Sequence, residues 1–259
     1  MGAALLEWSV GADETIDDIA GGRLKILQKA RGYRFSLDAL LLAHFVDLQP
    51  GDQVLEMGAG SGVVSLILAD RWAGTAITGI DIQEEFVAMA ARSVVINALS
   101  QKIAIRRIDV RKVSAAFAPG SFDVVVANPP YRKINSGRIN VNREKALARH
   151  EITGTIRSFS TAAGYVLKPA GRACFIYPAT RMVELLCSLR EALIEPKRLR
   201  MVYSRQHEAG KFVLVEGTKE GGEELEIMPP LFIYEKKGLY SSEMAGIFKE
   251  LSSPGIAAR

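Results

Sequence analysis

Between Ser121 and Tyr131 the chain reads Ser-Phe-Asp-Val-Val-Val-Ala-Asn-Pro-Pro-Tyr. After Asp123 the run to Ala127 is wholly apolar, the composition of a strand covered on both faces of a sheet. Two prolines then follow Asn128, and neither can donate to a ladder, so the strand must end there. The residue before a proline is confined to extended backbone, which leaves Asn128 few conformations. The outcome is a stiff polar loop at the carboxyl end of a buried strand, where open α/β sheets bind ligands. Taken alone, the stretch also suits a plain turn that closes a strand.

A second feature answers it upstream. Val54–Met57 reads as a short strand that runs into Gly58-Ala59-Gly60-Ser61-Gly62, and an apolar helix is expected from Val63 to Arg71. Small residues let backbone approach a ligand, and the helix start points N–H groups at it. Ala76–Ile80 is a second strand ending at Asp81, about twenty residues past the glycines, where a carboxylate can take both hydroxyls of a ribose. The glycine spacing is not that of dinucleotide enzymes, and no Walker lysine follows. Glu56, just before the loop, repels a phosphate and suits a cation. A ligand with an amino group, a sulfonium and a ribose but no phosphate meets these terms, and S-adenosylmethionine is one.

The remaining chain supplies a frame. Its 259 residues, 48% of them hydrophobic, suffice for one full core with an appendage. Met1–Gly22 is acidic and reads as a short N-terminal segment that can be mobile; 23–235 forms the main domain, and 236–259 a tail with one weak helix. Arg23–Gln28 alternates and reads as an exposed strand, which Gly32–Phe35 could continue as a partner. Ser36 caps a buried helix reaching Leu48. A helix is expected over Glu84–Ala98, a strand over Lys102–Ile108 ending at Asp109, and a short helix over Val113–Phe117. Asp109 could accept from an adenine amine or simply close a strand. Beyond the prolines, Arg132–His150 is polar and basic, a length of loop that suggests a substrate-side arm, or else a solvated insertion.

A helix over Glu151–Leu167, a Lys168–Gly171 turn, a strand over Arg172–Tyr177 and a helix over Arg181–Leu193 come next. Pro196–Tyr203 and Lys211–Glu216 could form an antiparallel hairpin, with Leu225–Tyr234 extended along the sheet edge. The net charge of +4 permits a nucleic-acid partner without demanding one. The two cysteines, Cys174 and Cys187, lack metal-ligand spacing and read as thiols in apolar contexts, and no metal is expected. No apolar run is long enough to span a bilayer and no cleavable leader is visible, so a cytoplasmic setting without a membrane is expected.

The proline loop suits one chemistry. An exocyclic amine on a planar ring is a poor nucleophile because its lone pair is delocalised. The Asn128 side-chain oxygen and the Pro129 carbonyl could each accept one N–H and draw the nitrogen toward tetrahedral geometry. Tyr131 offers a flat face for the ring, worth about 1–3 kcal/mol per stacked base.

These residues together resemble the class I S-adenosylmethionine-dependent methyltransferases, through Val54–Gly62, Gly79-Ile80-Asp81 and Asn128-Pro129-Pro130-Tyr131. Within that family the chain is similar to the tRNA1(Val) adenine-N6 methyltransferases, which modify the adenine beside the anticodon. That likeness rests on Arg34–Ala43, Ala148–Glu151, Glu195–Arg200 and Leu214–Gly217. The resemblance implies a Rossmann-like α/β fold, with a seven-stranded, mostly parallel sheet, helices on both faces and an antiparallel last strand. It places Phe35–Asp38 over the methionine end of the donor. The donor set is then Asp38, Glu56, Gly58, Ala59, Gly60, Gly62, Asp81 and Ile82, Asp109 and Val110, and Asn128. Asn128, Pro129, Pro130 and Tyr131 form the catalytic loop, and Tyr131, Arg132, Lys133, Arg149 and His150 face RNA, most readily a tRNA. A protein-glutamine methyltransferase, an adenine methyltransferase of ribosomal RNA or DNA, and a non-catalytic RNA- or nucleotide-binding module are the rival readings. The oligomeric state is not legible.

Overall fold

A computed structural model of the chain describes residues 9–31, 34–130 and 154–253. Glu14–Ile19 (β1) and Leu24–Lys29 (β2) pair antiparallel across Ala20–Gly22, where two glycines take positive φ. The hairpin departs from the expected exposed strand. β1 has a partner, and Ile26 and Leu27 are fully buried because both faces of β2 are covered. The polar Lys25 and Lys29 set the alternation, but their ammonium groups reach Asp18 and Asp13 of β1 at the surface. Of the proposed strand Gly32–Phe35, Gly32 and Tyr33 lie outside the described residues, and Arg34 and Phe35 are in no strand.

Helix α1 (Leu37–Phe45) leads to β3 (Gln53–Met57), α2 (Val63–Arg71), β4 (Ala76–Asp81), α3 (Glu84–Ile96) and β5 (Ile103–Arg107). A 3-10 segment, Val110–Ala115, precedes β6 (Phe122–Ala127). Then come α4 (Ile156–Val166), β7 (Leu167–Pro178), α5 (Met182–Glu191), β8 (Ile194–Tyr203) and β9 (Gly210–Lys219). The expected turn at Lys168–Gly171 is a bulge inside β7, which pairs with β6 on both sides of it and holds Ala170 at φ 60°.

The main sheet runs β10-β8-β9-β7-β6-β3-β4-β5, and β11 also pairs with β8. β10 (Glu226–Ile227) and β11 (Leu231–Phe232) are two-residue strands on the outer edge. They raise the expected seven strands to nine among the described residues. The seven longer strands keep the expected arrangement: β9, the last of them, is antiparallel to both neighbours, and the rest are parallel. A small hairpin, β12 (Tyr234–Lys236) and β13 (Leu239–Tyr240), precedes α6 (Ser242–Ser252).

Two apolar cores flank the sheet. One joins the β1–β2 hairpin, α1, α2 and α6; the other joins α4 and α5. The expected boundary at residue 236 does not separate a tail, because Met244, Ile247 and Leu251 are buried in the first core. No helix of the described residues is long and apolar enough to cross a membrane.

Candidate active site

β3 is the switch point of the sheet. From it the chain moves outward through β4 and β5, then returns to the other side as β6. Met57 is level with Ala127 on one side and Ile80 on the other, so three loops leave the sheet together at its carboxyl edge. They carry the glycines, Asp81 and Asn128, and crevices at such points are where doubly wound sheets bind ligands.

The glycine loop is held from inside. Gly58 and Ala59 both donate to the Ile80 carbonyl, at 2.8 and 2.9 Å, and Gly62 donates to Ala59 at 2.8 Å. Gly60 donates to Asp81 Oδ2 at 3.0 Å. These loop N–H groups are committed within the protein, and the small residues leave room for the close approach expected of them. Gly62 at φ 82° turns the chain into α2, and a Cβ there would lie 3.1 Å from the Ala90 Cβ of α3. Phe159 of α4 backs Gly58 from below.

Two buried carboxylates flank the loop. Asp81 accepts from Gly60 and, through Oδ1, from Gln83 N at 2.8 Å. Each oxygen keeps lone-pair capacity for a hydroxyl donor. Burial raises the Asp81 pKa against these bonds. Glu56 is turned beneath the loop, where its Oε2 accepts from both the backbone N–H (2.9 Å) and the hydroxyl of Ser65 in the first turn of α2. Burial pushes the Glu56 pKa up to about 7, against the Ser65 bonds, with a further rise from Asp81. Among the described residues no cation is a leading cause of either shift. The pair therefore suits a ligand with positive charge and vicinal hydroxyls, and opposes a phosphate.

Asp38 is 3% exposed, and its Oδ1 accepts from the Ser36 hydroxyl and from Ala39 N at 3.0 Å. Ser36 thus spends its hydroxyl on Asp38 rather than on an N-terminal N–H of the helix. Ile82 follows Asp81 half-buried, and Val110 is buried beside Asp109. Asp109, expected at the adenine amine, is engaged within the protein. Both its oxygens hold the Arg111 guanidinium, at 2.6 to 3.0 Å, and Oδ1 also caps Arg111 N. Arg111 accordingly depresses its pKa.

At the end of β6, the Asn128 Oδ1 is buried and accepts no hydrogen bond from the described residues. Pro129 is buried behind it and Pro130 is half-buried. A buried acceptor left without a donor costs about 1–3 kcal/mol. Tyr131, Arg132, Lys133, Arg149 and His150 lie outside the described residues. Residues missed from sequence are Ser65, Phe159 and Arg111. Ser65 had a signal, being the one polar residue between Val63 and Ala69.

The fold, the cradle of small residues and the paired carboxylates together define an S-adenosylmethionine-dependent methyltransferase. Residues 37–174 match the model of the methyltransferase small domain, and the chain belongs to that family. It is 27% identical over 230 residues to the tRNA1(Val) (adenine(37)-N6)-methyltransferase of Porphyromonas gingivalis, covering 85% of this chain and 89% of that one. It is 26% identical over 220 residues to the enzyme of the same name from Vibrio campbellii, covering 85% and 88%. Among solved structures, a predicted O-methyltransferase from Agrobacterium tumefaciens superposes with a TM-score of 0.69 at 20% identity, covering 85% of this chain and 99% of that one, which shows the shared fold.

Proposed function

We propose that the enzyme methylates the exocyclic amine of an adenine in RNA, the adenine beside the anticodon of tRNA1(Val). The observation that carries this reading is the unpartnered Asn128 Oδ1, one strand away from the glycine cradle. The names of the relatives support the tRNA as acceptor.

Bound in the cradle, S-adenosylmethionine supplies an electrophilic methyl group. Asp81 takes the ribose hydroxyls, while Glu56 and Asp38 lend negative charge near its cationic end. Asn128 Oδ1 and the Pro129 carbonyl accept the two N–H bonds of the target amine. That grip turns the nitrogen lone pair out of conjugation and aims it along the line of transfer. The prolines keep the two acceptors from relaxing when the amine arrives, so catalysis is chiefly positioning. Tyr131 stacks the base after it leaves its neighbours, and the basic residues Arg132, Lys133 and Arg149, with His150, meet the RNA backbone.

Incubation with labelled methyl donor and, separately, total tRNA, ribosomal RNA and release factor tests this. Label is expected in tRNA and, after digestion, in N6-methyladenosine. Label confined to release factor overturns it in favour of a glutamine acceptor, whose amide also offers two N–H groups.

A further inference from the structure

Gln28 sits on β2, away from the glycine loop, and is 2% exposed. Its amide makes two hydrogen bonds in opposite directions. Nε2 donates to Asp17 of β1 at 2.8 Å, and Oε1 accepts from the backbone N–H of Phe35 at 2.9 Å. Its orientation is not a matter of choice: a backbone N–H can only donate and a carboxylate can only accept. Asp17 is itself held by Arg34 at 2.6 Å and by the Thr15 hydroxyl at 3.2 Å.

Phe35 leads into α1, and the direction of α1 is set by its far end. Arg71, closing α2, donates to the Ala43 carbonyl at 2.7 Å, and Arg198 of β8 donates to the Phe45 carbonyl at 3.0 Å. The carboxyl end of α1 therefore lies beside the end of α2, away from the glycine loop. α1 packs against α2, and with the carboxyl ends of the two helices together its first turn, with Ser36 and Asp38, is directed toward the end of α2 that the glycine loop precedes. The hairpin is anchored in turn on α3. Arg92 makes a two-pronged contact with Glu14 at 2.6 and 2.8 Å, and Leu27 N donates to Ser93 Oγ at 2.9 Å.

We propose that Gln28 is a positioning residue for the methyl-donor site: by bridging Asp17 and the Phe35 backbone, it fixes the entry to α1 and so the place of Asp38 beside the glycine loop. It touches neither donor nor acceptor. The N-terminal hairpin thereby becomes part of the donor site's framework. The inference rests on the reading that the start of α1 borders the donor.

The full-length protein tests it by calorimetry with S-adenosylhomocysteine, which needs no acceptor, and by amide exchange at Phe35, which needs no ligand. Gln28→Leu is expected to weaken binding about ten-fold and speed Phe35 exchange, raising KM for the donor with KM for RNA unchanged. Should that variant not fold, Gln28→Glu decides. Its carboxylate still accepts from Phe35 but opposes Asp17, so binding is expected to weaken. Adding Asp17→Asn restores a donor to the pair and is expected to bring affinity back to within two-fold of wild type. Binding by the Gln28→Leu variant within two-fold of wild type overturns the proposal, as does a double variant no tighter than Gln28→Glu alone. A wild-type protein that binds S-adenosylhomocysteine but labels no RNA overturns the acceptor reading and leaves this one standing.

Discussion

At Asn128 a buried acceptor has no donor among the described residues, and in the proposed mechanism that cost is recovered when the amine arrives. Asn128→Ala removes the orphan together with the grip on the amine. The variant is expected to be no less stable than wild type, to bind S-adenosylhomocysteine within two-fold, and to lose turnover by about a hundred-fold or more; single-turnover kinetics beside calorimetry check this. Glu56 makes a different case. Its folded pKa, about 7, lies above its ordinary value of 4.5. The folded state thus binds the proton more tightly than the unfolded chain, and stability is lost as pH rises from about 4.5 to 7 and then levels off. The Glu56→Gln variant lacks this component. Urea unfolding midpoints of the two proteins from pH 5 to 8 are expected to diverge in that direction, and parallel curves would refute the assignment. Asp109 marks where residue-level reading stops. Its carboxylate holds the guanidinium two residues on, a contact that no strand-end pattern announces.

Elements with strong local grammar were legible from sequence, down to their ends. β6 spans Phe122–Ala127 as expected because a buried apolar run and two prolines bound it on both sides. α2 spans Val63–Arg71 because the glycine loop sets its start. The β1–β2 hairpin was not legible. Its burial comes from α3, through Arg92, Ser93 and Asn97, partners some seventy positions away that no local pattern announces. Gln28 was opaque for a nearer reason: its partners Asp17 and Phe35 lie 11 and 7 positions away, on either side of a strand whose pairing no local pattern announces. The glycine loop makes its own prediction. Gly62→Ala puts a side chain at positive φ and within 3.1 Å of Ala90. The left-handed conformation alone costs about 1–2 kcal/mol. The variant is expected to unfold at lower urea and to bind the donor more weakly, whereas an unchanged midpoint would mean that the loop relaxes freely.

Across the whole molecule, the first and last described elements share one core. Arg23, just before β2, pairs with Asp70 of α2 and donates to the Leu251 carbonyl of α6 at 3.1 Å. Leu251→Ala empties a buried site among these elements and is expected to cost about 2–5 kcal/mol, read from the denaturation midpoint. A destabilisation well below 1 kcal/mol would mean that α6 is only loosely attached. The sequence shows a short helix with Met244, Ile247 and Leu251 at helical spacing, but nothing local says what covers that face. The closure of α6 on Arg23 also dictates an order of events during synthesis. Every strand of the central sheet can have left the ribosome while the apolar flank of the methyl-donor half still lacks its last cover. Until Ser242–Ser252 emerges, that flank lacks its last cover, and a chain stopping short of Ser242 would hold the sheet without its seal.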